Sequence, residues 1–189
     1  MTVIEFNFND DWMGEISRRL GDLNDKTPDV ISQATNSTAR KARKLIVQSL
    51  REHYAEDAKT KEYNAAMKIA RASRKKYDAT IYIRGKVQNL RRFNVSPKDP
   101  PASGSSRPPT TRAQVLLQGG LKELNKGGIK AFITTFRNGD VVVAQRNGSF
   151  YTYHRPTGGI DRHHEAIDKL WSISIPKMAE SQLDPKTVR

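Results

Sequence analysis

Cysteine is absent from this chain of 189 residues, and so are long apolar runs. Without cysteine the chain can form neither disulfides nor thiolate metal sites. No stretch approaches the roughly 20 consecutive apolar residues that a membrane-spanning helix needs. The first residues also lack the basic start of a signal peptide. We therefore expect a cytoplasmic protein, or a component of an assembly built in the cytoplasm, with no membrane partner.

Apolar residues are scarce overall. Hydrophobic residues make up 36% of the chain and aromatic residues 7%, and the mean hydropathy is −0.71. A chain of this length can form one domain with a modest core. The low apolar content indicates that a share of the chain consists of extended arms, linkers or surface that other chains cover.

The charge is strongly basic and unevenly distributed. Lys and Arg number 33 against 20 Asp and Glu, which gives a net charge of +13. Residues 1–29 contain seven acidic and three basic residues, so residues 30–189 carry a surplus of 17 positive charges. This pattern favours a polyanionic partner together with a charged contact to another protein. The alternative is that the charge serves solubility alone.

Two Asn-Gly pairs predict a small sheet. Asn138–Gly139 and Asn147–Gly148 separate runs of β-branched and aromatic residues, which is typical of hairpins with type I′ turns. They predict a three-stranded antiparallel meander with strands at 128–136, 141–146 and 149–153. Residues 79–84 alternate apolar and polar and predict a half-buried strand, and residues 112–118 predict another.

A long amphipathic helix is predicted from Pro28 to Tyr54, with Thr27 as its N-cap and Pro28 at the first helical position. Its apolar side is expected to comprise Ile31, Ala34, Ala42, Leu45, Ile46, Ser49 and His53. The opposite side carries Arg40, Lys44 and Arg51 and is either a solvated face or a binding surface. The fold class is therefore α+β, with this helix packed on an antiparallel sheet of about four to five strands.

We divide the chain into three parts. Residues 1–26 form an acidic leader with a short helix at 10–20, residues 27–180 a single α+β domain, and residues 181–189 a polar tail. Within the domain, a short helix or turn at 60–71 leads into the strand at 79–84. Residues 97–111, rich in Pro and Ser, predict an extended loop that becomes ordered only if a partner holds it.

The sequence contains one concentration of potential catalytic groups, Arg-His-His-Glu at 162–165, with His154 nearby. Adjacent residues do not face one another on a helix or a strand, and a zinc helix needs histidines one turn apart. Asp161, Glu165 and Asp168 carry no sign of burial. No phosphate-binding or dinucleotide-binding glycine loop is present. We therefore expect a protein that is not an enzyme and has no cofactor or metal; a nuclease that uses His163 or His164 is the catalytic alternative.

Modules that read nucleic-acid sequence are also missing. The chain has no zinc-finger spacing, no RNP motif and no helix-turn-helix pattern. Tyr151 and Tyr153 can stack on bases if exposed, but alternating aromatics on a strand are more often core residues or cross-strand pairs. What remains is attraction of scattered Lys and Arg to phosphates, independent of base sequence.

The order of several segments resembles the minor tail protein Z family of long-tailed bacteriophages, also called tail completion proteins. The resemblance covers roughly residues 28–180. It rests on the basic helix at 30–50, Lys68–Lys76, Asp78–Arg84, Leu90–Pro97, Ala131–Ile133 and Lys169–Met178. Those segments include a small residue after the basic strand, a Leu-x-x-Phe, an Ala-Phe-Ile strand and an apolar close that ends in Pro-x-Met. The family closes with a Gly-Pro-Ser-like turn, from which Ser172–Pro176 departs.

The resemblance implies a virion protein without catalytic activity at the head–tail junction, assembled in the host cytoplasm. It further implies a ring of copies around the DNA channel, with tail and head-completion proteins as neighbours. For packing or subunit contact we predict Phe132, Phe136, Leu170, Trp171, Ile175 and Met178. For attraction to DNA we predict Arg40, Lys44, Arg84, Lys86, Arg91 and Arg92. The alternative function is a stand-alone basic protein that binds nucleic acid without sequence preference.

Overall fold

The computed structural model describes residues 1–7, 14–16, 18–19, 26–57, 60–101, 109–153 and 162–183. The chain combines a long helix with several antiparallel sheets, which confirms the α+β class. It divides into two compact units. The first, here the helix unit, comprises residues 1–52, 58–86 and 173–189, and the second, the sheet unit, comprises residues 53–57 and 87–172. The predicted domain boundaries stay predictions.

The helix unit packs three helices and a three-stranded sheet. Its strands are β1 (Thr2–Phe6), β2 (Met67–Ala70) and β3 (Ala79–Ile83), in the antiparallel order β1-β3-β2. Its helices are α1 (Thr27–His53), α2 (Thr60–Ala66) and α3 (Ile175–Gln182). On α1, Ala39 packs with Ala72 and Ala79 in a cluster that Phe6 and Ile69 complete. The small side chains let the helix backbone approach the sheet closely.

The long helix is confirmed to within a residue at each end, but its buried side is not the predicted one. The buried positions are Thr27, Ile31, Ser32, Thr35, Ala39, Val47 and Leu50, whereas Leu45 is 64% exposed. Apolar periodicity missed this side because small polar residues occupy it. Thr35 donates its hydroxyl to the carbonyl of Ile31 at 2.9 Å and so needs no partner outside the helix.

Thr27 does not cap the helix in the way predicted. It is the first α-helical residue, 2% exposed, and its hydroxyl has no hydrogen-bond partner within the described residues. The helical turn already starts one residue earlier, at Lys26. Because of this, Thr27 lies inside the helix rather than at the position before it, where a side-chain cap forms.

The start of the predicted leader is part of this sheet. β1 pairs antiparallel with β3, from Thr2 opposite Ile83 to Phe6 opposite Ala79. The predicted burial of Ala79, Ile81 and Ile83 is confirmed, since all three are fully buried. The short helix predicted at 10–20 lies mostly outside the described residues, although residues 14–16 and 18–19 are helical.

The start of α3 closes the helix unit. Ser174 caps the helix by accepting from the Lys177 N–H, and Pro176 occupies its first turn, where a missing N–H costs nothing. Thr2 donates its hydroxyl to the Pro176 carbonyl at 3.1 Å. A Cβ built on Gly85 would lie 3.3 Å from Pro176 Cδ and 3.5 Å from Ile175 Cβ. Glycine at 85 therefore leaves the space into which the first turn of α3 fits.

The sheet unit contains several small antiparallel sheets rather than the single sheet of four to five strands that was predicted. Its strands are β4 (Val87–Asn89), β5 (Asn94–Ser96), β6 (Arg112–Gln114), β7 (Lys122–Glu123), β8 (Asn125–Lys126), β9 (Ile129–Lys130), β10 (Phe132–Thr135), β11 (Val141–Tyr153) and β12 (Arg162–Lys169). The sheets have the orders β5-β6-β7, β8-β9 and β10-β11-β12. Most of the strands are two to four residues long, too short to extend one continuous ladder. Short 3-10 helices lie at Leu90–Arg92 and Leu117–Gly119, and β13 (Trp171–Ser174) leads back into the helix unit.

One of the two predicted turns is confirmed and the other is wrong. Gly139 has φ 85° in the turn between β10 and β11. At Asn147–Gly148 the strand β11 continues instead of turning, and the register on β12 shifts between Arg146 and Phe150. Gly148 has φ 79° there, and Asn147 accepts from the Ser149 N–H at 2.9 Å. A bulge and a tight turn both need a residue with positive φ, so the same sequence pattern serves either.

Two further predictions fall where the structure is silent. Most of the predicted loop at 97–111 and of the predicted tail at 181–189 lies outside the described residues, since 102–108 and 184–189 are not described. Within the residues that are described, no helix combines the length and the apolar character that crossing a membrane requires.

Candidate interaction surfaces

The histidine-rich segment forms no metal cluster within the described part of the chain. His164 and Glu165 are neighbours on β12 and therefore point to opposite sides of the sheet. His164 stacks on Tyr151 of β11, with ring centroids 5.7 Å apart, and Glu165 pairs with Arg146 at 3.0 Å. Asp168 accepts from the Asn147 amide at 3.3 Å. His154, Asp161 and the side chain of residue 163 lie outside the described residues.

The six residues predicted to attract DNA are distributed over both units. Arg40 and Lys44 lie exposed on α1, and Arg84 and Lys86 lie exposed just after β3; these four belong to the helix unit. Arg91 and Arg92 belong to the 3-10 helix of the sheet unit. The structure thus keeps four of the six within one compact unit.

The two arginines in the sheet unit have acidic partners. Arg92 Nε lies 3.3 Å from Glu56 Oε1, and the Glu56 side chain is 0% exposed. A buried carboxylate needs such a cation, so Arg92 has a structural role that limits its use for a ligand. Arg91 lies 3.7 Å from Asp99 and donates to the Lys98 carbonyl at 3.4 Å. Proline and loop composition gave no signal of either pairing.

The predicted packing residues have different environments. Ile175 and Met178 are buried in the helix unit, at 6% and 0% exposure. Phe132 and Phe136 are half-buried, and each lies under a cation: Arg146 is 5.8 Å from the Phe132 ring centroid and Lys169 is 4.9 Å from that of Phe136. The two remaining residues are Leu170, half-buried, and Trp171, 55% exposed.

A surface that sequence reasoning did not single out lies on β11 and β12 beyond the end of β10. Only Val141–Ala144 of β11 pairs with β10, so residues 146–153 pair with β12 alone. We call residues 146–153 and 162–167 the two-stranded extension. It exposes Phe150 at 70%, Tyr151 at 53% and Ile167 at 38%. Alternating aromatics predicted a cross-strand pair, which Tyr151 forms with His164, but not that the pair stays open to solvent.

A second surface lies along one side of α1. Arg40, Lys44 and Arg51 recur at helical spacing and are all exposed. On the same side, the Asn36 amide bonds the Ala72 backbone in both directions, at 2.9 and 3.0 Å. This side of the helix therefore borders the segment around residue 72. The sequence indicated the basic face but not which part of the chain lies beside it.

Comparisons with known proteins give no relative to anchor these surfaces. No family model matches the chain, and neither characterised proteins nor solved structures match it.

Proposed function

We propose that this protein is a structural, non-enzymatic virion component of a long-tailed bacteriophage. It completes the tail and joins it to the head as one of several copies in a ring around the DNA channel. Its other partners are the neighbouring tail and head-completion proteins. The proposal combines the resemblance over residues 28–180 with the exposed apolar surface of the sheet unit.

The observation that carries the proposal is the two-stranded extension. Phe150 and Tyr151 are exposed at 70% and 53% on a ladder that no third strand covers. Clustered apolar residues on a protein surface mark contacts with other proteins. Because the chain has a net charge of +13, copies repel one another unless they meet through a neutral surface. Residues 140–169 carry four basic and four acidic residues, so this part of the chain is neutral.

Two segments on which the resemblance rests have a common physical reason. The small residue after the basic strand is Gly85, and the closing Pro-x-Met is Pro176–Met178. Gly85 leaves room for the first turn of α3, in which Pro176 lies, and Met178 of that helix is fully buried. A helix unit of this design therefore requires both segments together, which supports reading them as one pattern.

The experiment is the mass of the protein in solution by light scattering, compared with its presence in purified virus particles. The native chain is expected to form a defined oligomer. Replacing Phe150 by Thr, which keeps strand propensity, removes about 1.5–3 kcal/mol of apolar burial per contact. The dissociation constant is then expected to rise by about 10- to 100-fold. Leu45→Gln is the matched control, because Leu45 is 64% exposed on α1 and lies outside the two-stranded extension.

Two results would overturn the proposal. One is a monomer at all accessible concentrations, with Phe150→Thr and Leu45→Gln behaving alike. The other is a preparation of infectious particles from which the protein is absent.

The second candidate is a stand-alone protein that binds nucleic acid without sequence preference. It is favoured by the charge of the helix unit, in which α1 contributes Arg40, Lys41, Arg43, Lys44 and Arg51. A stand-alone binder should hold duplex DNA as a monomer with a dissociation constant below about 1 µM at physiological salt, tighter than ordinary non-specific binding. A channel component need not.

A further inference from the structure

The side of α1 that carries Arg40, Lys44 and Arg51 forms a straight cationic row, here called the basic edge. At 100° per residue, Lys44 and Arg51 lie within about 40° of Arg40 around the helix axis. At 1.5 Å per residue, the row extends over roughly 16 Å. The three side chains are exposed, so the row is available to a ligand along its whole length.

Contacts at both ends fix what lies beside the basic edge. One turn before Arg40, the Asn36 side chain bonds the Ala72 backbone. At the other end, Arg51 Nη1 donates to Thr60 Oγ1 at 3.1 Å. The edge therefore runs along the segment from Thr60 to Ala72, and all of these residues belong to the helix unit.

Acidic residues are missing from both sides of this border. Residues 30–51 contain five basic residues and no Asp or Glu, and residues 63–77 contain five basic residues and no Asp or Glu. Just outside the row, Asp29 is held by Arg74, and Glu52 accepts from the Gln48 amide at 2.8 Å. No carboxylate one turn away on the helix can neutralise Arg40 or Lys44.

We propose that the basic edge binds the phosphate backbone of duplex DNA. The inference rests on the proposed function, whose ring surrounds DNA, and it assigns that contact to the helix unit. A rigid row of cations suits duplex DNA, which places one negative charge per about 1.7 Å of its axis. Binding through phosphates positions the duplex without reading its bases, as passage through a channel requires.

Two other polyanions fit the surface less well. Single strands are held by stacking on exposed aromatic rings, but Tyr63 beside the basic edge is 1% exposed. The large aromatic residues exposed within the described chain, Phe150, Tyr151 and Trp171, all belong to the sheet unit. An acidic peptide presents no straight, regular row of charges to match a helix side.

The test is a salt titration of binding to a 30-base-pair duplex of arbitrary sequence, with the full chain. The variant carries Arg40→Gln, Lys44→Gln and Arg51→Gln. Each lost phosphate contact lowers the slope of log K against log salt by about 0.9, so the slope falls by about 2.7. At 0.15 M salt the triple variant binds on the order of 100-fold more weakly.

The control removes the same charge elsewhere. Arg112→Gln, Lys122→Gln and Arg137→Gln change three exposed residues of the sheet unit and are expected to leave the slope within about 1 of the native value. Equal losses in both triple variants would show that net charge alone acts and would overturn the assignment. Equal affinity for single-stranded DNA or for poly-glutamate would overturn the choice of partner. Circular dichroism checks folding, and a variant with Arg40→Lys and Arg51→Lys, which keeps the charge, is expected to bind like the native chain.

The two proposals fail separately. If the oligomer forms and the protein is present in particles but duplex binding is unaffected by the triple variant, the basic edge is wrong and the structural function stands. If the triple variant loses binding but the chain is a monomer absent from particles, the virion role is wrong and a stand-alone binder replaces it.

Discussion

Single residues decide how the two ends of the helix unit fit together, and Gly85 is the clearest case. The nearest atom to a Cβ at this position is Pro176 Cδ, 3.3 Å away, in a ring whose residue is held by the hydrogen bond from Thr2. Gly85→Val is therefore expected to destabilise the fold by about 1–3 kcal/mol through overpacking. The urea midpoint measures this at unchanged m value. Gly119→Val, at a site where the nearest atom is 3.9 Å away, is the comparison and should change stability less.

Arg92 is a second residue whose role is structural. It lies 3.3 Å from Glu56, whose side chain is fully buried, while Arg92 itself is 37% exposed. Arg92→Met leaves a buried carboxylate without its cation and is expected to cost about 3 kcal/mol, the lower end for such pairs because of the exposure. The double variant with Glu56→Gln should recover part of the loss. A double-mutant cycle that gives a coupling below about 0.5 kcal/mol would contradict this assignment.

The pair of Asp29 and Arg74 predicts how stability depends on pH. The hydrogen bond from Arg74, together with its charge, holds the pKa of Asp29 below its ordinary value of 3.8. A carboxyl with a depressed folded-state pKa stabilises the fold above its unfolded pKa and loses that contribution as the pH falls through the folded pKa. Arg74→Gln should therefore lower Tm above about pH 4, and the difference from the native chain should shrink as the pH falls below that value. An NMR titration of Asp29 that shows an ordinary pKa would exclude the mechanism.

At the scale of elements, α1 shows which side of an amphipathic helix is buried. Leu50 is 0% exposed and Leu45 is 64% exposed. Leu50→Ala should cost about 2–5 kcal/mol, whereas Leu45→Ala should stay within about 0.5 kcal/mol. Comparable losses at both positions, measured by chemical denaturation, would restore the buried side that apolar periodicity predicts.

The same helix shows what sequence can and cannot predict. The stretch from Pro28 to Tyr54 identifies the helix to within a residue, because Thr-Pro starts are frequent and the apolar spacing persists for many turns. Its orientation escapes prediction, because Ser32 and Thr35 are buried with their hydroxyls bonded within the helix. A hydroxyl satisfied by the preceding turn costs little to bury, and composition alone cannot reveal that bond.

The strand β11 adds a second limit of prediction. Asn138–Gly139 and Asn147–Gly148 are the same dipeptide, yet one is a turn and the other a bulge within a strand of 13 residues. The difference comes from the partner strand β12, which lies more than ten residues away along the chain. The basic candidates on α1 were accessible to sequence reasoning, but the exposed Phe150 depends on this partner and was not.

At the scale of the molecule, the two surfaces belong to different units. The helix unit carries the basic edge, and the sheet unit carries the exposed aromatic residues of the two-stranded extension. Copies of a chain with a net charge of +13 repel one another at low salt. One surface suits a partner of opposite charge, and the other suits a partner of the same chain once that repulsion is screened.

This separation predicts opposite responses to salt. Raising the salt from 0.05 to 0.5 M shortens the screening length from roughly 14 Å to about 4 Å. Repulsion between copies then weakens, so the mass measured by light scattering should rise with salt, while the affinity for duplex DNA should fall. Phe150→Thr should remove the rise in mass and leave the DNA response, and the triple variant of the basic edge should do the reverse. If both responses disappear in the same variant, one surface serves both partners, and the division between the units is wrong.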